Sequence, residues 1–397
     1  MLQLDAVQTL ALAGIALFLG YGLCRWIPVL GRYNLPPPVV GGLVFAIAAW
    51  IAHARGQVLF ELDTSLQSPL MIAFFTTIGM MASLRLLRIS GTQVMVFLAL
   101  ASVFAVLQNL LGMAVAVGFD LHPLFGVLTG STTLTGGPAT GLAFAPLFEE
   151  AGVTGAESIA VAAAMAGIVL GGIVGGPAIT VMIRRFGLTS ARPEDHDAPD
   201  VETTAPAQTE TEREYSALKS IVILLIAMWI GAWVSGLISA TGITLPAYVG
   251  AMLVGAAVRN LDDRTGWIGM SSPTMDLIGN VCLALFLAVA LMNLKLWELA
   301  GLALPLVINL VLQVGAVVAF CIVVFRFMGR DYDAAVMGGG FIGFMLGTTA
   351  NAMAVMRTLV ERYGAAPRAF LVAPLVGAFF IDFINALIIT GFINFWN

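Results

Sequence analysis

The sequence predicts an all-α polytopic membrane protein, and three observations lead to this fold class. Apolar residues make up 59% of the 397-residue chain. Charged residues make up 10% of it, whereas they are about a quarter of a typical soluble chain. Apolar segments of membrane-spanning length recur from Val7 to Phe395. These segments are long and unbroken, which favours helices over a closed barrel, the other structure that satisfies backbone polar groups in lipid.

Five spans are predicted in each half of the chain. They are residues 7–27, 39–53, 69–83, 92–119 and 158–183, followed by 220–240, 246–258, 277–293, 302–327 and 369–395. Before the fifth span of each half lies a segment rich in small and hydroxyl residues, at 122–147 and at 334–355. Irregular backbone at membrane depth must line a cavity or be buried in protein. We therefore predict about ten spans and two re-entrant hairpins.

The two halves align at a shift of 210 or 211 residues, which indicates an internal repeat. The matched pairs include Leu35 with Leu245, Pro36 with Pro246, Phe75 with Phe286, Met81 with Met292, Gly136 with Gly347 and Gly167 with Gly377. An odd number of spans per copy inverts the second copy in the membrane. We expect inverted repeats at 1–183 and 220–397, with hairpins that meet near the midplane, where transporters of this design bind substrate.

The segment between the repeats, 184–219, is acidic and has few large apolar residues, so we expect a flexible cytoplasmic linker. Cytoplasmic loops carry an excess of Lys and Arg. If both termini are in the periplasm, only Arg55 and Lys295 clearly fall in periplasmic loops. The inner loops then receive Arg25, Arg32, Arg85, Arg88, Arg184, Arg185, Lys219, Arg259, Arg264, Arg326, Arg330, Arg357, Arg362 and Arg368. This asymmetry predicts a bacterial inner-membrane protein in that orientation.

The first hairpin carries a Gly-Gly-Pro sequence, at Gly136, Gly137 and Pro138, which should unwind the chain. A half-helix that begins near Pro138 would direct its positive end at an anion, and carbonyls before it could face sodium. Close helix packing is the alternative role for such small residues. The predicted ligand contacts here lie between Thr129 and Gly141, and the predicted sodium contacts are Ser131 and Thr132.

The second hairpin offers Thr348, Thr349 and Asn351 as further substrate contacts, because their oxygens and amide suit a carboxylate. Helix capping is the alternative for these residues. Gly347, Asp382 and Asn385 complete the predicted sodium contacts. Asp382 lies in the last apolar span, where a charge is costly unless it is paired, protonated or functional. A structural hydrogen bond to a hairpin remains an equal alternative for this carboxylate.

Other classes of protein lack their usual motifs in this chain. We find no GxGD, HExxH or GxxxxGK[ST] sequence, which disfavours an intramembrane enzyme or an ATP-driven pump. The net charge of -5 offers no basic face for nucleic acid. A channel could share the hairpins, yet a duplicated site suits alternating access better. The sequence therefore predicts secondary active transport of a small anion.

Several segments of the chain resemble the bacterial sodium/glutamate symporters. They are residues 134–137 with 140–141, 169–177, 294–300, 332–336 and 376–382. The resemblance implies a homodimer that imports glutamate with sodium ions, with a scaffold and a mobile, elevator-like transport domain that holds both hairpins. It also implies that substrate contacts lie at Thr135, Gly136, Gly137, Thr140 and Gly141 of the first hairpin and at Gly347, Thr348, Thr349 and Asn351 of the second.

Three positions depart from the pattern that the resemblance implies. That pattern has histidine where this chain has Pro138 and Phe341, and proline where it has Ala350. Departures near the predicted ligand leave another amino acid, a dicarboxylate or a 2-hydroxycarboxylate open as the substrate.

Overall fold

The computed structural model describes residues 2–57, 60–89, 91–190, 210–242, 244–299 and 301–396, and it is almost wholly helical. A short parallel pair, β1 (Leu2–Leu4) and β2 (Phe60–Leu62), joins the start of the chain to a later loop. The helices are α1 (Ala6–Trp26), α2 (Pro28–Arg32), α3 (Pro37–Ala54), α4 (Gln67–Met81), α5 (Leu84–Ile89), α6 (Thr92–Gly118), α7 (Pro123–Val127), α8 (Gly137–Glu150), α9 (Ala156–Phe186), α10 (Glu210–Ser239), α11 (Ala247–Thr265), α12 (Ser272–Met292), α13 (Ala303–Phe327), α14 (Tyr332–Met345), α15 (Thr349–Tyr363), α16 (Pro367–Leu375) and α17 (Ile381–Trp396). Two π-helical segments, Leu128–Thr132 and Val376–Phe380, and one 3₁₀ turn, Leu296–Leu299, complete the described elements.

Seven of the described helices are long and apolar enough to cross a membrane, namely α1, α3, α6, α9, α10, α12 and α13. Two further helices, α4 and α17, are also apolar but shorter. Of the other predicted spans, α11 carries Arg259, Asp262, Asp263 and Arg264 in its last two turns. The chain is therefore an all-helical, multi-pass membrane protein, and the count of ten spans stays a prediction.

The helices pack as two groups. Group A consists of α1, α3, α4, α10, α11 and α12, and group B consists of α6, α7, α8, α9 and α13 to α17. The two groups contact each other less than the helices within each group do. The contacts between them involve α4, α11 and α12 of group A, and α8, α17 and the second π-helical segment of group B. The centre of group B is an aromatic cluster of Phe97, Phe104, Phe320, Phe341 and Phe344, whose neighbouring ring centroids lie 4.9–5.9 Å apart.

Two helical hairpins lie in group B. Hairpin 1 is α7, the first π-helical segment and α8, and hairpin 2 is α14 and α15. Hairpin 1 packs closely on α6 because Gly126 and Gly112 face each other, and a Cβ on either would overlap the backbone of the other helix. This close approach brings Asn109 against Ser131 of the π-helical segment and Gln108, beside it on α6, against Thr135 just before α8.

The predicted linker lies partly outside the described residues, which resume at 210 after a gap at 191–209. Helix α9 extends to Phe186, and α10 begins at Glu210 rather than at residue 220, where the predicted span begins. The first turns of α10 are polar, and a span predicted from continuous apolar residues therefore begins later than the helix does. They contain good helix formers such as Glu and Arg.

Candidate substrate and cation site

The two hairpins meet at their tips. Gly137, the first residue of α8, has φ +68°, a left-handed conformation that only glycine adopts at low cost. A Cβ placed on Gly137 would lie 3.7 Å from the carbonyl oxygen of Gly347 and 3.8 Å from Cγ2 of Thr348. These are van der Waals distances, so the tip of hairpin 1 lies directly against the tip of hairpin 2.

Two helices begin at this junction. Helix α8 starts at Gly137, with Pro138 as its second residue, and α15 starts at Thr349. The Thr348 hydroxyl caps α15 by accepting a hydrogen bond from the Asn351 backbone N–H at 3.4 Å. Each helix N-terminus presents free N–H groups and about half a positive charge. Their junction is therefore suited to an anionic ligand.

A cavity of about 820 Å³ opens at the junction, between groups A and B. Group B lines it with both tips and with Asp382, and group A lines it with the α1–α3 connection, α4 and α12. Asp276 and Asp382 are the charged side chains among its described lining residues, which include no Lys, Arg or His. An anion in this cavity would thus be held by helix N-termini, backbone N–H groups and hydroxyls rather than by a basic side chain.

The predicted substrate residues divide into those that line the cavity and those behind it. Thr135, Gly136, Gly137, Thr348 and Thr349 line it. The Thr349 hydroxyl donates to the Gly377 carbonyl at 2.6 Å, which ties the start of α15 to the second π-helical segment. This bond leaves the oxygen lone pairs of Thr349 near the cavity.

The other three predicted substrate residues lie behind the tips. Thr140 packs back on Gly136, and Gly141 packs against Ala160 of α9. Asn351 is buried, and its amide donates to the Ile168 carbonyl of α9 at 2.6 Å. In this structure these residues make packing contacts within hairpin 1 and with α9. Their role as substrate contacts stays a prediction.

Gln108 of α6 bridges the two hairpins. Its Oε1 accepts a hydrogen bond from the Thr135 hydroxyl at 2.6 Å, and its Nε2 donates to the Met345 carbonyl at 2.9 Å. Gln313 of α13 in turn donates to the backbone carbonyl of Gln108 at 2.7 Å. Both glutamines are buried. This chain of bonds fixes the relative position of the two tips.

A group of buried oxygen atoms lies beside the tip of hairpin 1. The side-chain oxygens of Ser131, Thr132 and Asn385 are fully buried, and none has a hydrogen-bond partner among the residues that the structure describes. Asn385 and Ser131 are in direct contact, because Asn385 Nδ2 donates to the Ser131 carbonyl at 2.9 Å. The Ser131 N–H donates to Asn109 Oδ1 at 2.8 Å.

Orphaned buried oxygens need an explanation, since leaving such an atom unpaired costs about 1–3 kcal/mol. Neutral oxygens are the ligands that hard cations take in proteins. Ser131, Thr132 and Asn385 therefore fit a small cation. The other two predicted sodium residues, Gly347 and Asp382, line the cavity itself. The described residues include no group of three or more His, Cys, Asp or Glu that could hold a metal ion.

The sequence did not identify the group A wall of the cavity. Asn34, Thr77, Asp276 and Asn280 line it. Asp276 carries the clearest signal, as a carboxylate in the first turns of an apolar helix. Nothing in its local sequence indicates that it faces the hairpins, because that depends on how the two groups pack.

Comparisons with known proteins agree with this architecture. A family model described as Sodium/glutamate symporter matches residues 2–365. A curated sodium/glutamate symporter of Haemophilus influenzae is 39% identical over 386 residues, covering 96% of this chain and 95% of that protein. Another, of Escherichia coli, is 40% identical over 394 residues, covering 98% and 97%. The apolar spans and these matches define a multi-pass membrane transport protein.

Within that class, the chain belongs to the sodium/glutamate symporter family. The family resemblance of the short segments in the sequence is thereby confirmed over nearly the whole chain.

Proposed function

We propose that the chain imports glutamate together with sodium ions across a bacterial inner membrane. The observation that carries this proposal is the junction of two helix N-termini over a cavity, next to three buried oxygens without partners. The first feature suits a carboxylate, and the second suits sodium. The two curated relatives bear the name of sodium/glutamate symporters, which supports both cargoes.

Coupling follows from the contacts between the two features. The Ser131 carbonyl accepts the backbone N–H groups of Thr135 at 3.2 Å and Gly136 at 3.0 Å, and both of these residues line the cavity. A cation at Ser131 and Asn385 would therefore order the segment that forms the anion site. Each cargo then raises the affinity for the other, as linkage requires.

The charge of the cargo sets a minimum number of sodium ions. Glutamate enters with a net charge of -1 against an inside-negative potential, which opposes it by about 2.3 kcal/mol per 100 mV. One sodium ion cancels this charge, and further ions let the potential drive accumulation. We propose at least two sodium ions per glutamate.

Alternating access would come from movement of group B against group A. The cavity lies between the groups, and the hairpins and the oxygen cluster all belong to group B, so a rigid displacement of group B would carry both cargoes. The inverted repeat, the ten spans, the re-entrant hairpins and the periplasmic termini are parts of this proposal. A homodimer through group A would leave group B free to move.

The substrate could also be another dicarboxylate or a 2-hydroxycarboxylate. Two of the three departures from the family pattern, Pro138 and Ala350, line the cavity, so they contact its contents. The third, Phe341, lies in the aromatic cluster at the centre of group B. The departures at Pro138 and Ala350 therefore affect which substrate fits the cavity, whereas the departure at Phe341 affects the packing of group B.

Uptake by proteoliposomes tests the proposal. With an inward sodium gradient, we expect labelled glutamate to accumulate above its external concentration, and a potassium gradient should not replace sodium. Competition by dicarboxylates and 2-hydroxycarboxylates in counterflow then ranks the substrates. Equal fluxes in sodium and potassium, or equilibration without accumulation, would contradict sodium-coupled symport and would indicate a channel.

A further inference from the structure

Asp382 is the second residue of α17 and lines the cavity at the hairpin tips. The chain on either side of it is bonded to the two hairpins. Before it, the Gly377 carbonyl accepts a hydrogen bond from the Thr349 hydroxyl of hairpin 2 at 2.6 Å. After it, Asn385 donates to the Ser131 carbonyl of hairpin 1 at 2.9 Å. Asp382 therefore keeps its position in group B relative to any ligand that the tips hold.

The Asp382 carboxylate has no hydrogen bond or ion pair with the residues that the structure describes. Other aspartates do have such partners. Asp262 accepts three backbone N–H groups, and Asp263 and Asp331 each pair with an arginine. An unpaired carboxylate in an apolar span is costly and marks a functional position by default. A cationic group that enters the cavity would supply the missing partner.

The proposed cargo contains two kinds of cation, sodium and the α-ammonium of glutamate. The unpaired neutral oxygens of Ser131, Thr132 and Asn385 already suit sodium, and none of these three residues lines the cavity. Asp382 does line it, together with the hairpin tips that suit the carboxylates. The described lining residues include no Lys, Arg or His that could pair with Asp382 instead. The position of Asp382 therefore favours the ammonium over sodium as its partner.

The charges around the cavity match those of an amino acid with two carboxylates. The N-termini of α8 and α15 each bring about half a positive charge to the junction, and Asp382 brings one negative charge. Glutamate has two carboxylates for the N-termini and one ammonium for Asp382. A dicarboxylate or a 2-hydroxycarboxylate has no ammonium, so it would leave Asp382 unpaired and place like charges near each other.

Asp276, the other carboxylate of the cavity, differs from Asp382 in exposure and in position. It lies in the first turns of α12 in group A and is exposed, whereas Asp382 is half-buried. Water can solvate an exposed carboxylate, so Asp276 does not need a cationic ligand. Its position relative to the tips also depends on how the two groups are arranged. Asp276 is therefore a matched comparison for Asp382, with the same charge in the same cavity.

We propose that the Asp382 carboxylate binds the α-ammonium of the substrate and thereby selects amino acids over dicarboxylates and 2-hydroxycarboxylates. This inference rests on the proposed function and deepens it. It assigns Asp382 to the substrate and leaves sodium to the neutral oxygens of Ser131, Thr132 and Asn385. The carboxylates of glutamate then face the helix N-termini of the two hairpins.

The test compares the binding of glutamate and glutarate to wild type and to Asp382→Asn, by calorimetry in saturating sodium. Glutarate has both carboxylates of glutamate and no ammonium. A hydrogen bond between charged groups accounts for about tenfold or more in affinity, so wild type should prefer glutamate by at least that factor. Asp382→Asn should weaken glutamate binding about tenfold and leave glutarate binding unchanged or tighter, because the like charge is gone.

Two further variants serve as controls. Asp382→Glu keeps the negative charge and should retain more of the preference for glutamate than Asp382→Asn does. Asp276→Asn removes the other carboxylate of the cavity and should leave the ratio of the two Kd values unchanged, whatever its effect on each. The melting temperature and the sodium concentration for half-maximal binding are measured for each variant, so that a folding or sodium defect is recognised.

The inference is overturned if Asp382→Asn weakens glutamate and glutarate equally. Equal weakening with a higher sodium requirement would assign Asp382 to sodium, and equal weakening with a lower melting temperature would assign it to packing. Proteoliposomes separate this inference from the proposed function. If wild type accumulates glutarate as well as it accumulates glutamate, the inference fails while sodium-coupled symport stands. If wild type accumulates no glutamate, the proposed function fails, and the inference fails with it.

Discussion

The two hairpins meet at one junction, yet their local structures differ. Hairpin 2 satisfies its own polar groups, because Thr348 caps α15, Thr349 donates to Gly377, and Asn351 donates to Ile168. Hairpin 1 enters the junction through a π-helical segment in which Gly130 leaves helical backbone geometry. It leaves the buried hydroxyls of Ser131 and Thr132 without partners in the described structure.

This difference separates two roles. A hairpin whose polar groups are paired is a rigid wall for a ligand, whereas unpaired buried oxygens are a site that a cation completes. We therefore assign sodium binding chiefly to hairpin 1 with Asn385, and anion binding to the junction of both hairpins. The following variants would break or sharpen that assignment.

The largest effect is expected for Asn385→Ala. This substitution removes the unpaired Oδ1 and the donor to the Ser131 carbonyl. Losing an interaction with a charged partner costs about 1.5–3 kcal/mol, so half-saturation by sodium should shift at least tenfold upward. The measurement is sodium-dependent glutamate uptake in proteoliposomes.

Asn394→Ala, two to three turns further along α17, is the matched control, since Asn394 bonds to Thr244 away from the site. It should leave the sodium dependence unchanged. An Asn385→Ala protein with wild-type sodium dependence would remove this residue from the cation site and return its role to packing.

Gln108→Leu should have the next largest effect. Leucine has a similar volume and cannot bond to Thr135 or to the Met345 carbonyl, so two buried partners lose their bonds. Each loss costs about 1–3 kcal/mol. We expect a lower melting temperature in detergent and a glutamate KM raised about tenfold, with sodium dependence changed less than in Asn385→Ala. Gln108→Glu keeps the acceptor for Thr135 and should retain more affinity; a wild-type KM in Gln108→Leu would contradict the bridging role.

Gly137→Ala is expected to have the smallest effect of the three. The φ of +68° at this position costs an L-residue about 1–2 kcal/mol. Its matched control is Gly152→Ala, because Gly152 also has a positive φ, of +98°, but lies in a loop with open surroundings. Both variants should lose similar thermal stability, and only Gly137→Ala should raise the glutamate KM. A similar KM in both would show that the tip conformation does not matter for binding.

Much of group B was predictable from local sequence. The Gly-Gly-Pro run at 136–138 indicates a helix start, and α8 begins at Gly137. The spans were predictable where apolar residues are continuous, as in α6 and α13, and less so in α11, whose last turns are charged. The family was predictable because its short segments recur together along the chain.

The rest depends on packing that no local pattern encodes. Thr140, Gly141 and Asn351 have the residue types of a binding site, but a turn of helix places them behind the tips, on α9 or on Gly136. Asp276 and Thr77 line the cavity because α12 and α4 of group A face the hairpins. The orphaned oxygens were predicted as sodium contacts by residue type, while their lack of partners is visible only in the folded chain.

Direct binding of glutamate to the purified protein in detergent, measured by calorimetry in sodium and in choline at equal ionic strength, probes the central claim most directly. If cations complete the cluster at Ser131, Thr132 and Asn385 and thereby order the anion site, glutamate should bind at least tenfold more tightly in sodium, and Asn385→Ala should reduce that difference. Equal affinities in the two salts, or a sodium effect that survives Asn385→Ala undiminished, would contradict the account.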